Sequence, residues 1–365
     1  MSLLSYPCTY MRGGTSRALI FNENDLPTER AGWDDIFLRA LGSPDIYGRQ
    51  LNGMGGGISS LSKVAILKPS TREDADVEYT FAQVSVTEKK VDYKGNCGNI
   101  SSAVGPYAVY KKWVSVSGPE AHVRIYNTNT QKVIHAHFPV ENGEVVFSGD
   151  LEIPGVSGSG SPIRLEFQDP GGAATGKLLP TGNTRDILKL SNGKSLQVSM
   201  IDAANACVFL NALDLGLRGD ESSAELDRPN LLKALEEIRL EASVAMGIAS
   251  SIEDAKKSIA IPYLGLVAPR YSSEMDFSLR VIASGQPHKA LPLTVSLCAA
   301  VSAKLPGSLI HEVLENKSLD EVRIGIPSGV LTLNAKVEEK NSQYVALSGS
   351  FYRTARILFE GRVFV

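Results

Sequence analysis

Gly95-Asn96-Cys97-Gly98-Asn99-Ile100-Ser101-Ser102-Ala103-Val104-Gly105-Pro106-Tyr107-Ala108-Val109-Tyr110 is the stretch on which the reading of this chain turns. From Ile100 onward, small and apolar side chains occupy nearly every side of a helical projection. A helix that is apolar all round belongs in an interior, not on a surface. Lys289 to Lys304 has the same alanine-rich character and predicts a second such helix. Pro106 should bend the first helix or end its regular bonding.

Strand-like runs surround both helices. In the first half these are Arg17–Phe21, Val64–Leu67, Val77–Val86, His122–Tyr126 and Val133–Phe138. In the second they are Ser195–Asp202, Cys207–Asn211, Tyr263–Ala268, Phe277–Ile282, Val322–Ile326, Val330–Val337 and Tyr344–Ser350, with Arg356–Val365 as a closing strand. Trp33–Leu41 reads as a short amphipathic helix closed by Gly42, and Asn230–Met246 as a longer one stopped by Gly247. The expected fold class is therefore α/β (α+β), with two pseudo-repeated domains, each a sheet wrapped around a central helix.

Composition narrows the possible roles. A chain of 365 residues suggests about two domains. A hydrophobic content of 43% with 21% charged residues suits a globular core, and a net charge of −3 gives no general attraction to nucleic acid or anionic membrane. The four cysteines, at 8, 97, 207 and 298, form no close pair, so neither a disulfide framework nor a zinc site is expected. The N-terminal residues lack a basic, then apolar, leader pattern, and no run approaches the ~18 apolar residues of a membrane span. The expectation is a reduced, soluble, cytoplasmic protein.

Cys97 stands apart from the other cysteines. Cys207 and Cys298 have apolar neighbours, whereas Cys97 lies between glycines and asparagines at a helix start. There, backbone N–H groups and the helix dipole favour a thiolate. The flanking glycines allow close main-chain approach, and Asn96 and Asn99 add neutral donors suited to a carboxylate. Gly53-Met54-Gly55-Gly56-Gly57-Ile58-Ser59-Ser60-Leu61-Ser62-Lys63 is a second polar loop, rich in backbone and hydroxyl donors for an anion. It fits neither the dinucleotide nor the P-loop spacing. Ser60 to Lys63 matches Ser-x-x-Lys of acyl-serine enzymes, but the companion motifs are missing. Lys63 also reads as a plain strand-edge lysine. His135 and His137 share one strand face, yet no third ligand is near in sequence, so no metal is expected. His288, beside Lys289 at the expected start of the second helix, mirrors the place of Cys97.

Met11–Ser16, Gly55–Lys63, Tyr79–Val84, Gly95–Ile100 with Val104–Pro106, Asn127–Thr130, Pro180–Asn183 and Pro327–Gly329, in that order, resemble the PrpF-like proteins. That family includes aconitate isomerases, 3-methylitaconate Δ-isomerase and 4-oxalomesaconate tautomerase. The resemblance implies a diaminopimelate-epimerase-like fold, with domains at 1–182 and 183–355 and residues 356–365 returning to the first as a strand. It implies a site in the cleft where the two helix N-termini point, with Lys63 and Cys97 as the catalytic pair. Thr15, Ser16, Gly55, Gly56, Gly57, Ser59, Ser60, Asn96, Gly98, Asn99, His288 and Lys289 are the expected substrate-binding residues.

The implied reaction is an allylic 1,3-proton shift that moves a C=C bond in a small unsaturated di- or tricarboxylate, without metal or organic cofactor. If the thiol and the amine share a cleft, each stabilises the other's charged form, which makes Cys97 the base and Lys63 the acid or charge clamp. A bound polyanion raises the proton affinity of both and can reverse the roles. A keto–enol tautomerase on an oxo-tricarboxylate is the alternative. A racemase would need a second helix-start cysteine, which is absent, and a non-catalytic polycarboxylate-binding protein would not need the thiol. A homodimer is the expected assembly.

Overall fold

The computed structural model describes residues 4–93, 96–191, 193–258, 261–283, 285–288 and 291–365. The chain forms two compact units, Met1–Glu166 with Tyr352–Val365, and Phe167–Phe351.

Unit 1 contains, in chain order, β1 (Ser5–Gly13), β2 (Ser16–Asn22), α1 (Trp33–Leu41), β3 (Lys63–Pro69), β4 (Val77–Val84), β5 (Val91–Asp92), α2 (Gly98–Tyr110), β6 (Glu120–Asn127) and β7 (Lys132–Glu141). The C-terminal strand Ala355–Phe364 pairs antiparallel with β1. Val64 to Leu67 is uninterruptedly apolar because β3 is covered on both faces. Val64 and Ile66, with Ala82 and Val84 of β4, pack on Trp33, Phe37 and Leu41 of α1. Strand alternation sends Lys63, Ala65 and Leu67 to the opposite face. Gly42, left-handed at φ 75°, closes α1 by donating to the Arg39 and Leu38 carbonyls.

Helix α2 touches β1, β2, β3, β4, β6 and β7, and its residues Ile100 to Val109 are all buried. Pro106 does not end α2, which is continuous to Tyr110. An interior proline costs about 3 kcal/mol. Fully burying one large apolar side chain returns roughly 1.5–3 kcal/mol, and α2 buries Ile100, Val104, Tyr107 and Val109. Gly105 lets the helix lie directly on β7, since a Cβ there would stand 2.9 Å from the Phe138 ring.

Unit 2 repeats this order of pairings. In unit 1 the sequence is β1/β2 antiparallel, β2/β3 parallel, β3/β4 antiparallel, β4/β6 parallel and β6/β7 antiparallel. In unit 2 the strands Ser195–Asp202, Ala206–Asn211, Tyr263–Pro269, Phe277–Ala283, Glu321–Ile326 and Gly329–Lys340 follow the same series. Leu293–Ala303 is its central helix, buried at every position. Each unit also carries the same ionic clamp across its second parallel pairing. Asp76 accepts from the backbone N and the guanidinium of Arg124, whose Nη1 donates to the Glu73 carbonyl. Asp276 accepts from Arg323 in the same way, and that guanidinium reaches the Ser273 carbonyl.

Two expected boundaries move. The second central helix starts at Leu293, capped by Pro292, and not near Lys289. Pro292 disfavours helical geometry at Leu291, so the helix cannot extend back through it. The first unit ends at Glu166, ahead of the expected 182. The Asp169–Gly176 loop is tied to unit 2: Asp169 N donates to the Leu347 carbonyl, and the Asp202 carboxylate gathers Ala174 N, Thr175 N and Thr175 Oγ1. Among the described residues no helix is long and apolar enough to cross a membrane.

Because the Asp276 side chain is only 9% exposed, Asp276→Ala should strand the Arg323 donors and cost about 1–3 kcal/mol. Asp76→Ala should cost less, its carboxylate being 25% exposed. Urea denaturation of both variants checks the order, and equal stability to wild type would remove the clamp from the fold's supports.

Candidate active site

Lys63 opens β3, opposite Gln83 in the antiparallel register of β4. It is 8% exposed, which sets aside the reading as a solvated edge lysine. Its Nζ donates to Gln83 Oε1 and lies 5.1 Å from the centre of the Phe81 ring. The Gln83 amide is held by its other end, with Nε2 donating to the Ser59 and Ser62 carbonyls at 3.0 Å each. Those bonds aim the Gln83 oxygen at the ammonium. Burial pushes the Lys63 pKa below its ordinary value, and a Cys97 thiolate pulls it back up. The same thiolate, added to burial, keeps the Tyr79 hydroxyl protonated far above the usual tyrosine range. Tyr79 faces Ser101, whose proton goes to the Cys97 carbonyl, and Tyr79 Oη has no well-formed hydrogen bond.

Cys97 is the N-cap of α2, with extended backbone (φ −119°, ψ 96°). Its carbonyl accepts from Ser101 N and Ser101 Oγ, while its side chain makes no capping bond. It is half-buried, and the other three cysteines are buried. Burial drives the Cys8 thiol up to about 11 and Cys207 well above its normal value. Cys298 lies within the second helix and meets the Ile201 carbonyl at 3.5 Å.

The asparagines around Cys97 anchor it to neighbouring loops. Asn96 Oδ1 accepts from buried Asn127, whose own oxygen accepts from Thr130 N and Thr130 Oγ1. Asn99 Oδ1 accepts from Thr15 N and from Nε of the buried Arg353, each at 3.3 Å. The β1–β2 turn therefore rests on the first turn of α2. A Cβ at Gly14 would come within 2.1 Å of Asn99 Oδ1, and Gly14 is left-handed at φ 51°. Ser16 is buried at this turn, and Gly98 is buried as the first residue of α2. Thr15, Ser16, Asn96, Gly98 and Asn99 thus share the surroundings of Cys97. For Asn96 and Asn99 the side-chain oxygens serve the scaffold.

The glycine loop differs from expectation. Gly55 N donates to the Leu41 carbonyl and Gly57 N to Gln50 Oε1, so neither N–H is an outward anion donor. The loop wraps the buried Gln50 amide, which also accepts from Ser62 Oγ and donates to Ser43 Oγ. A Gly55 Cβ would lie 2.3 Å from that amide, and a Gly56 Cβ 2.6 Å from Leu61. Ser59 and Ser60 form a single 3-10 turn leading into β3, and Ser59 serves through its carbonyl. His288 belongs to unit 2, where its backbone N donates to the Val281 carbonyl. It precedes the Pro292 cap and does not mirror Cys97. Gly95 and Lys289 lie outside the described residues.

Reading the chain residue by residue missed Gln50, Gln83 and Asn127 as site supports. For Gln83 a signal existed: an amide inside the apolar run Phe81 to Val84. The metal reading also changes, since β6 places His122 beside His135 and His137.

A family model described as PrpF protein matches residues 3–365. The chain belongs to the PrpF family. It is 41% identical to the 3-methylitaconate isomerase of Eubacterium barkeri, over 98% of this chain and 97% of that one. It is 35% identical to the 2-methyl-aconitate isomerase of Cupriavidus necator (99% and 97% covered) and 36% identical to the 4-oxalomesaconate tautomerase of Pseudomonas putida (98% and 95%). The crystal structure of a methylitaconate-delta-isomerase superposes with a TM-score of 0.87 at 39% identity, covering 100% of this chain and 96% of that one. A hydroxyproline epimerase from Agrobacterium vitis matches at TM-score 0.57 and 10% identity, over 99% of this chain and 93% of that one, a likeness of fold alone. The expected α/β, epimerase-like class is the one found.

In this PrpF family member the buried Gln50 amide organises the loop before Lys63. Gly55→Ala should displace it and destabilise the protein by about 1–3 kcal/mol. Gly48→Ala, at a left-handed glycine with open space around its Cβ position, should cost only the backbone term of about 1 kcal/mol. Chemical denaturation of the two variants should preserve that ranking.

Proposed function

We propose that this protein is an isomerase that moves a C=C bond within a small unsaturated di- or tricarboxylate by a 1,3-proton shift, with Cys97 and Lys63 handling the proton. Isomerisation of small unsaturated carboxylates is common to the names of its relatives. The observation that supports the residue assignment is a buried Lys63, held by Gln83 Oε1, within electrostatic reach of Cys97 at the start of α2. Such a pair holds one acid and one base at the same place.

In the proposed step, the Cys97 thiolate takes a proton from the allylic carbon next to a carboxylate. The C–H electron pair becomes part of a dienolate. Lys63 ammonium then delivers its proton to the far end of that system, and the double bond settles one carbon along. Proton transfer from the thiol back to the amine restores the starting pair. The Gln83 oxygen and the Phe81 ring both favour the ammonium form, which supports Lys63 as the acid. Growing negative charge on the dienolate oxygens is stabilised by that cation and by the N-terminus of α2.

A keto–enol tautomerisation uses the same proton shift, and the likeness to 4-oxalomesaconate tautomerase keeps it as the second reading. Racemisation is disfavoured because Pro292 caps the corresponding helix of unit 2 and no thiol stands there.

NMR in D2O with cis- and trans-aconitate, 2-methylaconitate, 3-methylitaconate and 4-oxalomesaconate tests the reaction. Deuterium at two allylic carbons with double-bond migration is the expected result. Inversion at a single sp3 carbon, or binding without any exchange, would overturn it. Cys97→Ser and Lys63→Ala should each lose about 10²–10⁴ in kcat while remaining folded by circular dichroism. Turnover near wild type in either would remove that residue from the proposal.

Gln83→Leu supplies a pH test. Removing the acceptor disfavours the ammonium, so the Lys63 pKa, already lowered by burial, should fall further. A hydrogen bond to a charged group contributes about 1.5–3 kcal/mol, and 1.36 kcal/mol corresponds to one pKa unit. The alkaline limb of kcat/KM, where the ammonium is lost, should move to lower pH by about one to two units. A limb that stays in place would show that Gln83 does not set the charge of Lys63.

A further inference from the structure

Strand pairing assembles three histidines on the outer face of unit 1. His122 of β6 stands opposite His137 of β7 in the antiparallel register, and Arg124 stands opposite His135. Ala121, Val123 and Ile125 of β6 and Ile134, Ala136 and Phe138 of β7 are buried. Alternation therefore turns all three imidazoles to the other face of the sheet. His122 Nε2 and His135 Nδ1 are 3.1 Å apart, and the His122 and His137 rings stack with centroids at 4.4 Å and planes 4° apart. One ligand nitrogen from each of the three falls within 4.8 Å of the others.

We propose that His122, His135 and His137 bind one late first-row divalent cation of the zinc class, at a site separate from Lys63 and Cys97. Two imidazole nitrogens on a tetrahedral zinc, at about 2.0–2.1 Å from the metal, stand about 3.3 Å from each other. The 3.1 Å separation of His122 and His135 fits that arrangement, and His137, stacked parallel to His122, must turn about its side-chain torsions to aim a nitrogen at the same ion. An all-imidazole donor set selects zinc, nickel or copper over magnesium and calcium.

The surrounding charges permit a cation. Around His135 these are His122, Arg124, Asp76 and Glu166; around His137 they are His122, Arg164, Glu120 and Glu166. Arg124 is paired with Asp76 and Arg164 with Glu166, which offsets both guanidinium charges. His122 is exposed, leaving a coordination side open to water or an incoming ligand. The cluster lies by the Asp76 end of β4, whereas Lys63 meets Gln83 at the other end, roughly 20 Å away at about 3.3 Å per residue.

The test is zinc titration of untagged, chelator-treated full-length protein by calorimetry, with a competing chromophoric chelator. Wild type should bind one equivalent. His122→Ala and His137→Ala should each weaken that equivalent by at least about tenfold, with unchanged circular dichroism. Because Cys97 is a second zinc-seeking group, Cys97→Ser is included and should retain the equivalent. His122 is exposed, so its variant separates loss of a ligand from loss of fold. Absence of a bound equivalent in wild type, undiminished binding in both histidine variants, or loss confined to Cys97→Ser would each overturn the proposal.

Discussion

A lysine side chain placed almost wholly inside unit 1 is the constraint around which its neighbours are arranged. A buried charge without partners would shed its proton or unfold its surroundings. Here it meets the Gln83 oxygen and the face of Phe81. Gln83 can present that oxygen because its amide hydrogens are held by the Ser59 and Ser62 carbonyls. Those carbonyls are placed by the loop that wraps Gln50. The glycines before Lys63 thus act two steps from the ammonium, by allowing backbone to close on an amide.

The two units show which parts of this arrangement are architecture and which are chemistry. Both keep the same pairing series, a buried central helix and an Asp–Arg clamp across a parallel crossover. They differ where unit 1 bears its reactive groups. Tyr263 opens the unit 2 strand that corresponds to β3, and Pro292 stands where Cys97 caps α2. The clamp ties down the second parallel pairing of each unit, so it recurs with the fold. In the proposed reaction, the thiol and the amine are needed only where a proton is moved.

The same sheet alternation that hides Lys63 exposes the histidines of β6 and β7. On one face, odd-numbered positions of β6 cover α2, and on the other, His122 joins two residues from the next strand. The two proposed sites, inner and outer, therefore need no extra structural element.

Much of the fold was legible in the order of residues. Helices apolar on all sides, β-rich runs, Gly42 after Leu41 and the solitary polar setting of Cys97 are local properties, and local periodicity and composition express them. Pro292, which caps the second central helix, was a signal that the reading from Lys289 passed over. What only the tertiary structure decided was pairing across distance: Lys63 against Gln83, Asn127 against Asn96, Gln50 inside the glycine loop, His122 beside His135 and His137. None of these partners is near its mate in the chain, and hydrogen bonds and electrostatic fields depend on separation in space. A one-dimensional reading could nominate a reactive residue, but the three-dimensional register chose its neighbours and so its charge.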